Sequence, residues 1–347
     1  MNTINLRSDT QTLPTEEMLE AIRRAPLGDD TYGEDPTVRK LERKAADLLG
    51  KEDALLVISG HMGNLIALMT HAGPGEEVLL DRESHIFYYE VGSMASVAGV
   101  MPMPLESHKG LLDPEAVRAA IRARNIHFPE PRLLCLENTH NRAGGRVTPL
   151  DLHRRLCAVA RERGLAIHLD GARIFNAAIV AGVPASEYAR DVDSIMFCLS
   201  KGLSCPLGSV LVGTEAFIAK ARSVRKRIGG GMRQAGIIAA CGLYALDHMI
   251  DRLAEDHRRA KELAQRLSRI PGLQVDLESV ETNMVNLDHS GTGLSTEEFM
   301  RALEGAGVLC TGRPPRQVRL VTHRHIEDAA IEEACQRIAG VVAGVAV

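Results

Sequence analysis

A chain of 347 residues, 45% hydrophobic and 25% charged, can bury one large core and a smaller second one. Its formal net charge of −4 supplies no basic field for nucleic acid or for an anionic membrane surface, which leaves a small molecule as the default partner. Seven cysteines without CxxC spacing suit reduced core thiols in a cytoplasmic protein, and the sequence has neither a secretory h-region nor an apolar run of about 18 residues.

In chain order, Asp35-Pro36 places an acidic N-cap before a proline at the first helical position, and Gly50 sits where that helix needs a left-handed terminus. From residue 53 to 214, short apolar and β-branched runs alternate with amphipathic segments, the pattern of strands joined by helical crossovers. Strands are predicted at 54–59, 77–80, 132–137, 165–169, 194–199 and 208–212. Several are apolar on both faces, as a sheet covered on two sides requires. Asp113-Pro114 and Gly164 repeat the helix punctuation. A long helical pattern over 233–267 leads to a second unit with strands at 274–277, 284–288 and 318–322 and helices at 296–304 and 326–342. The expected fold class is α/β. A large domain, residues 1–248, holds a mostly parallel sheet covered by helices on both faces, and its N-terminal segment contributes to the active site. A smaller C-terminal α+β domain occupies 249–347.

Four segments carry chemistry. Ser194 to Gly202 runs an apolar strand directly into Lys201, at the strand end where ligands bind in doubly wound sheets. About thirty residues upstream, His168-Leu169-Asp170-Gly171 brings an acid to the same rim. Taken singly, a lysine after a strand is an ordinary solvated residue, and an Asp before Gly is an ordinary turn-former. Together they match pyridoxal phosphate, which needs an amine for its aldehyde and a carboxylate to keep its ring nitrogen protonated. Ser59-Gly60-His61-Met62-Gly63-Asn64 reads either as a tight turn or as a helix start able to hold a phosphate. Lys226 to Arg233, with glycines at 229–231, reads as a linker or as a further phosphate contact. No metal-ligand spacing stands out.

These segments, together with Arg7-Ser8-Asp9-Thr10, Gly28 to Pro36, Glu137-Asn138-Thr139-His140-Asn141, Gly144-Gly145 and His168 to Arg173, resemble the low-specificity L-threonine aldolase family. Those are pyridoxal-phosphate enzymes of the aspartate-aminotransferase-like fold type I, and the likeness runs from about residue 4 to Thr322. It implies that Lys201 carries pyridoxal 5'-phosphate as a Schiff base and that Asp170 pairs with the ring nitrogen. His85 would stack on the ring, and Gly60, His61, Arg173 and Arg233 would complete the cofactor site. His61 departs from the threonine common in the family at that position, which keeps a backbone N–H and loses a hydroxyl. Ser8, Arg173 and Arg319 would grip the substrate carboxylate, with Tyr89 beside the substrate and Tyr32 reaching in from a neighbouring subunit. His85 and His127, or a water between them, are the candidates for the general base. The implied reaction is aldol cleavage of L-threonine, L-allo-threonine and related β-hydroxy-α-amino acids to glycine and an aldehyde, by a homo-oligomer built as a dimer of dimers. Other pyridoxal-phosphate lyases or racemases share such a scaffold. A non-catalytic ligand-binding relative is opposed by the joint presence of Lys201, Asp170, Arg173, His85 and Arg319.

Overall fold

The structure, a computed structural model, describes residues 3–345. The expected domain limits at 1–2 and 346–347 lie outside the described residues. Strand β1 (Ile4–Asn5) is followed by the seven strands of the main sheet: β2 (Asp53–Val57), β3 (Glu77–Asp81), β4 (Met101–Leu105), β5 (Pro131–Glu137), β6 (Ala166–Asp170), β7 (Ser194–Cys198) and β8 (Ser209–Gly213). Their spatial order is β2-β8-β7-β6-β5-β3-β4. All neighbouring pairs are parallel except those of β8, which runs antiparallel to both β2 and β7. The mostly parallel sheet expected from the sequence is therefore present.

The two-sided burial follows from strand alternation. Ala54 and Leu56, Ile195 and Phe197, and Val210 and Val212 point into one core, where helices Pro36–Leu49 and Gly236–His248 pack. Leu55, Val57, Met196, Cys198 and Leu211 point into the other, beneath helices Gly60–His71 and Glu215–Arg227. The Asp35 cap does more than its local sequence announces. Its buried carboxylate accepts from Thr37 and Val38 in the first helical turn and also from the amides of Gly28 and Gly236. One acid thus ties the loop at 28–35 to a helix two hundred residues away, and hydrogen bonds to a charged acceptor are worth about 1.5–3 kcal/mol each. Gly50 and Gly164 take the left-handed φ of 63° and 71° expected of them.

The C-terminal unit holds β9 (Met284–Asp288), β10 (Val308–Leu309), β11 (Thr311–Arg313) and β12 (Gln317–Val321). Strands β11, β12 and β9 form an antiparallel sheet, packed with helices Leu253–Leu267, Thr296–Gly305 and Asp328–Val345. Strand β1 pairs in parallel with β10, and Ile4 and Leu6 are buried in this core, not in that of the large sheet.

Three expectations need correction. β4, with the sequence Met-Pro-Met-Pro-Leu, was not predicted because proline depletes strands; it is tolerated since β4 is an edge with β3 as its sole partner. The strand expected at 274–277 reduces to one bridge between Gln274 and Asp288. The helical pattern at 233–267 is two helices, Gly236–His248 and Leu253–Leu267, interrupted at 249–252. Among the described residues, no helix is long and apolar enough to cross a membrane, and all seven cysteines are unpaired and buried.

Candidate active site

Five strands deliver side chains to one rim of the sheet. β2 leads into Ser59 and Gly60, β3 into His85, β5 ends at Glu137, β6 at Asp170, and β7 leads to Lys201. Between them lies an open cleft of about 610 Å³ whose wall includes Gly60, His61, His85, Asp170, Arg173 and Lys201. Six of the residues expected from the sequence are therefore brought together.

Ser59 caps the helix that starts at Gly60, its side chain accepting from the Met62 amide at 3.2 Å. The N–H groups of Gly60 and His61 open that helix at the cleft, a geometry suited to an anion. Glycine is required at 60 because a Cβ there would stand 2.8 Å from Cys198 Sγ, so the helix start can lie against β7 only without a side chain. On the facing wall, Asp170 is buried; its Oδ1 accepts from the Ala172 amide at 3.1 Å and its Oδ2 from Asn64 Nδ2 at 2.9 Å. The Lys201 carbonyl accepts from Thr12 Oγ1 at 2.7 Å and from the Ser204 amide at 2.9 Å. Ser204 holds this turn at a φ of 66°.

Also lining the cleft, Arg173 is paired through two hydrogen bonds with Asp9, Nε to Oδ2 at 2.7 Å and Nη2 to Oδ1 at 2.6 Å, and both residues are buried. Burial pushes the Asp9 carboxyl up, but the Arg173 guanidinium, Lys201 and Asn283 together hold it well below the ordinary carboxylate range. Ser8 caps the adjacent turn and lies 3.5 Å from Asp9 Oδ1. Arg319 donates to Asn141 Oδ1 at 2.6 Å, while its buried Nε has no partner among the described residues. Its pKa is pushed down to about 10, first by burial and then by the charges of Arg173 and Arg313. A guanidinium that is half-buried, repelled by two others and left with an unmet donor is suited to a carboxylate that completes it. Tyr89 lies within electrostatic reach of Arg313 and Arg319, and its hydroxyl accepts from Arg142 at 3.1 Å.

Three expected residues lie elsewhere in the single chain. His127 is in the exposed loop before β5, so it adjoins the N-terminal end of a strand whose C-terminal end meets the cleft. Tyr32 is 74% exposed and lines a separate cleft with Arg225 and Lys226. The Arg233 side chain is exposed and pairs with Asp29, and its carbonyl accepts from the Asp30 amide, so it travels with the Tyr32 loop. Conversely, sequence reasoning assigned no role to Asp9, Asn64, Glu90, Glu137, Asn141 or Arg313. Asp9, Asn64, Glu137 and Asn141 fall inside motifs already singled out, and Glu90 follows His85 by five positions. Arg313 carried no local signal.

The model of the beta-eliminating lyase family matches residues 5–290 of the chain. Low-specificity L-threonine aldolase 1 of Arabidopsis thaliana is 43% identical over 331 residues, covering 94% of this chain and 92% of that protein. The low specificity L-threonine aldolase of Escherichia coli K12 is 41% identical over 334 residues, covering 95% and 96%. On these grounds the chain belongs to the low-specificity L-threonine aldolase family. Leishmania major threonine aldolase superposes with a TM-score of 0.83 at 21% identity over 99% of each chain, which speaks to the fold.

Proposed function

We propose that this protein is a pyridoxal-phosphate-dependent aldehyde lyase that cleaves L-threonine, L-allo-threonine and related β-hydroxy-α-amino acids to glycine and an aldehyde. The reading rests on one observation: Lys201 and Asp170 face a single open cleft that also contains a helix start for an anion and, at Asn141, meets the incompletely paired Arg319. The residues present fit the cofactor. Lys201 would hold its aldehyde, Asp170 its ring nitrogen, the amides of Gly60 and His61 its phosphate, and His85 one face of its ring. When bound, pyridoxal phosphate supplies an aldehyde for an amine and a ring able to take up the electron pair left on Cα.

The remaining work falls to the chain. Arg173 and Arg319 grip the substrate carboxylate, and Asp9 keeps Arg173 from turning away, so the Cα–Cβ bond is held in one orientation. His85 is the candidate base for the β-hydroxyl proton, because within one chain His127 is remote from the cleft. The proposal includes a cytoplasmic homo-oligomer, a dimer of dimers, in which the exposed Tyr32 reaches a neighbouring chain's cleft and carries Arg233 with it. It also includes division of the chain into a cofactor-binding domain at 1–248 and a smaller domain at 249–347, with substrate held between Arg173 of the first and Arg319 of the second.

The test is product analysis with L-threonine, L-allo-threonine, phenylserine and serine. Stoichiometric glycine and acetaldehyde from L-threonine are expected. Release of ammonia and a 2-oxo acid, or inversion at Cα without cleavage, would assign the protein to another pyridoxal-phosphate reaction.

A further inference from the structure

Asn64 lies between two carboxylates. Its Nδ2 donates to Glu90 Oε1 at 2.8 Å and to Asp170 Oδ2 at 2.9 Å, while its Oδ1 is 3.1 Å from His168 Nε2. An amide oxygen can only accept, so His168 carries its hydrogen on Nε2. His168 Nδ1 must then accept from Ser194 Oγ at 2.9 Å, and Ser194, with its hydrogen committed there, accepts from His71 Nε2 at 2.7 Å. Every donor in this line points toward the acid pair. Flipping the Asn64 amide would set acceptor against acceptor in a buried site, a cost that low dielectric makes large. Burial holds His168 and His71 neutral down to about 3 and about 4, the state in which each has one hydrogen to direct.

Glu90 is fully buried, and its Oε1 is also 2.9 Å from His85 Nδ1. A carboxylate at Nδ1 places hydrogen on that nitrogen and leaves the lone pair on Nε2. The turn after Glu90 is held against its own preference, since Val91 takes a φ of 55° with its side chain in solvent. A β-branched residue keeps such a φ only where its surroundings impose it.

We propose that Glu90 is the positioning residue for His85, presenting Nε2 as the acceptor of the substrate's β-hydroxyl proton, and that Asn64, locked by His168, Ser194 and His71, ties this acid to Asp170. The inference rests on the proposed function. Three acids face His85: Glu90; Glu137, which accepts from its backbone N–H at 2.5 Å; and Asp170. The Tyr89 ring packs 5.5 Å away, and His61 Nε2 lies 3.8 Å from the second oxygen of Glu90. Burial pushes the His85 imidazole down, but the Glu90 hydrogen bond and the three acids bring it above the ordinary histidine value.

The test uses Glu90→Gln, which keeps shape and removes charge, in the purified full-length protein. Carbethoxylation of His85 by diethyl pyrocarbonate, followed by peptide mass spectrometry against pH, reports the imidazole titration directly. Its midpoint is expected to move to lower pH in the variant. In parallel, kcat for L-threonine cleavage should fall on the order of tenfold to hundredfold with KM nearly unchanged, and the acid limb of kcat/KM should shift the same way. Glu90→Asp should recover part of each change. A variant with the wild-type midpoint and acid limb overturns the proposal. If Glu90→Gln does not fold, the wild-type midpoint decides: above the ordinary histidine range supports the pairing, at or below it overturns it. A wild-type protein that does not cleave L-threonine would defeat the proposed function, while the carbethoxylation profile would still decide the Glu90 and His85 arrangement.

Discussion

Replacing Asp9 by Asn isolates what the buried acid does for Arg173. The variant keeps the shape but offers a single acceptor where the carboxylate offers two, and it leaves the Arg173 guanidinium without its counter-charge close to Arg319. Removing one partner of a buried pair costs about 3–5 kcal/mol. With an unfolding entropy of about 2.1 cal/mol/K per residue, the 347 residues give roughly 0.7 kcal/mol/K. The melting temperature should therefore fall by roughly 4–7 °C. The pH dependence has a definite sign. Asp9 titrates below its unfolded value of 3.8, so its contribution is complete above that pH and is lost as pH falls through the lower folded value. The difference between wild type and Asp9→Asn should persist through mildly acidic buffer and close only in stronger acid. Thermal unfolding followed by circular dichroism across that range measures both quantities. A variant melting within about 1 °C of wild type near neutral pH would refute the reasoning. KM for L-threonine should rise as well, because Arg173 is then free to leave its fork geometry.

Lys201→Ala should abolish the visible absorbance of the bound cofactor and the activity together, whereas a yellow variant with full turnover would remove Lys201 from its role. Arg319→Met should raise KM on the order of a hundredfold without lowering the melting temperature, since it relieves repulsion from Arg173 and Arg313 and removes an unmet Nε; an unchanged KM excludes Arg319 from the site. Burial holds His71, His153 and His257 down to about 4 and His168 to about 3. Because the unfolded chain binds protons that the folded chain refuses, the urea midpoint should decline from about pH 6.5 downward. A midpoint that is flat down to about pH 4 would count against that burial.

Lys201 and Asp170 were legible because each is fixed by a local pattern, an apolar strand ending in a polar residue followed by glycine. The caps at Asp35 and Asp113 and the left-handed glycines at 50 and 164 were legible for the same reason. What escaped was non-local. Nothing near Asp9 announces a partner 164 positions away, and Asn64 meets Asp170 across 106. The antiparallel course of β8 was hidden as well, because a strand buried on both faces reads the same in either direction. The edge strand β4 was masked by prolines that only an unpaired side can accommodate. The expectation for Tyr32 came from likeness alone, that for His127 from the ordinary titration of an imidazole and that for Arg233 from a glycine-rich cationic segment as well as likeness; one chain does not bring the three to the cleft.

The pairing of β1 with β10 sets an order on how the protein comes into being. Ile4 and Leu6 are made well before the core they pack into, which is built from residues 260–342. At about 5–20 residues per second, the interval between Leu6 and Leu309 is roughly 15–60 s. Once β8 has been made, the nascent chain can assemble its large sheet with Lys201 and Asp170 in place while Ile4 and Leu6 still lack the core they pack into. The proposed grip on the amino-acid carboxylate, which needs Arg319 of β12, can thus form only after the sheet, and a ribosome that stalls between the two would leave a folded sheet without it.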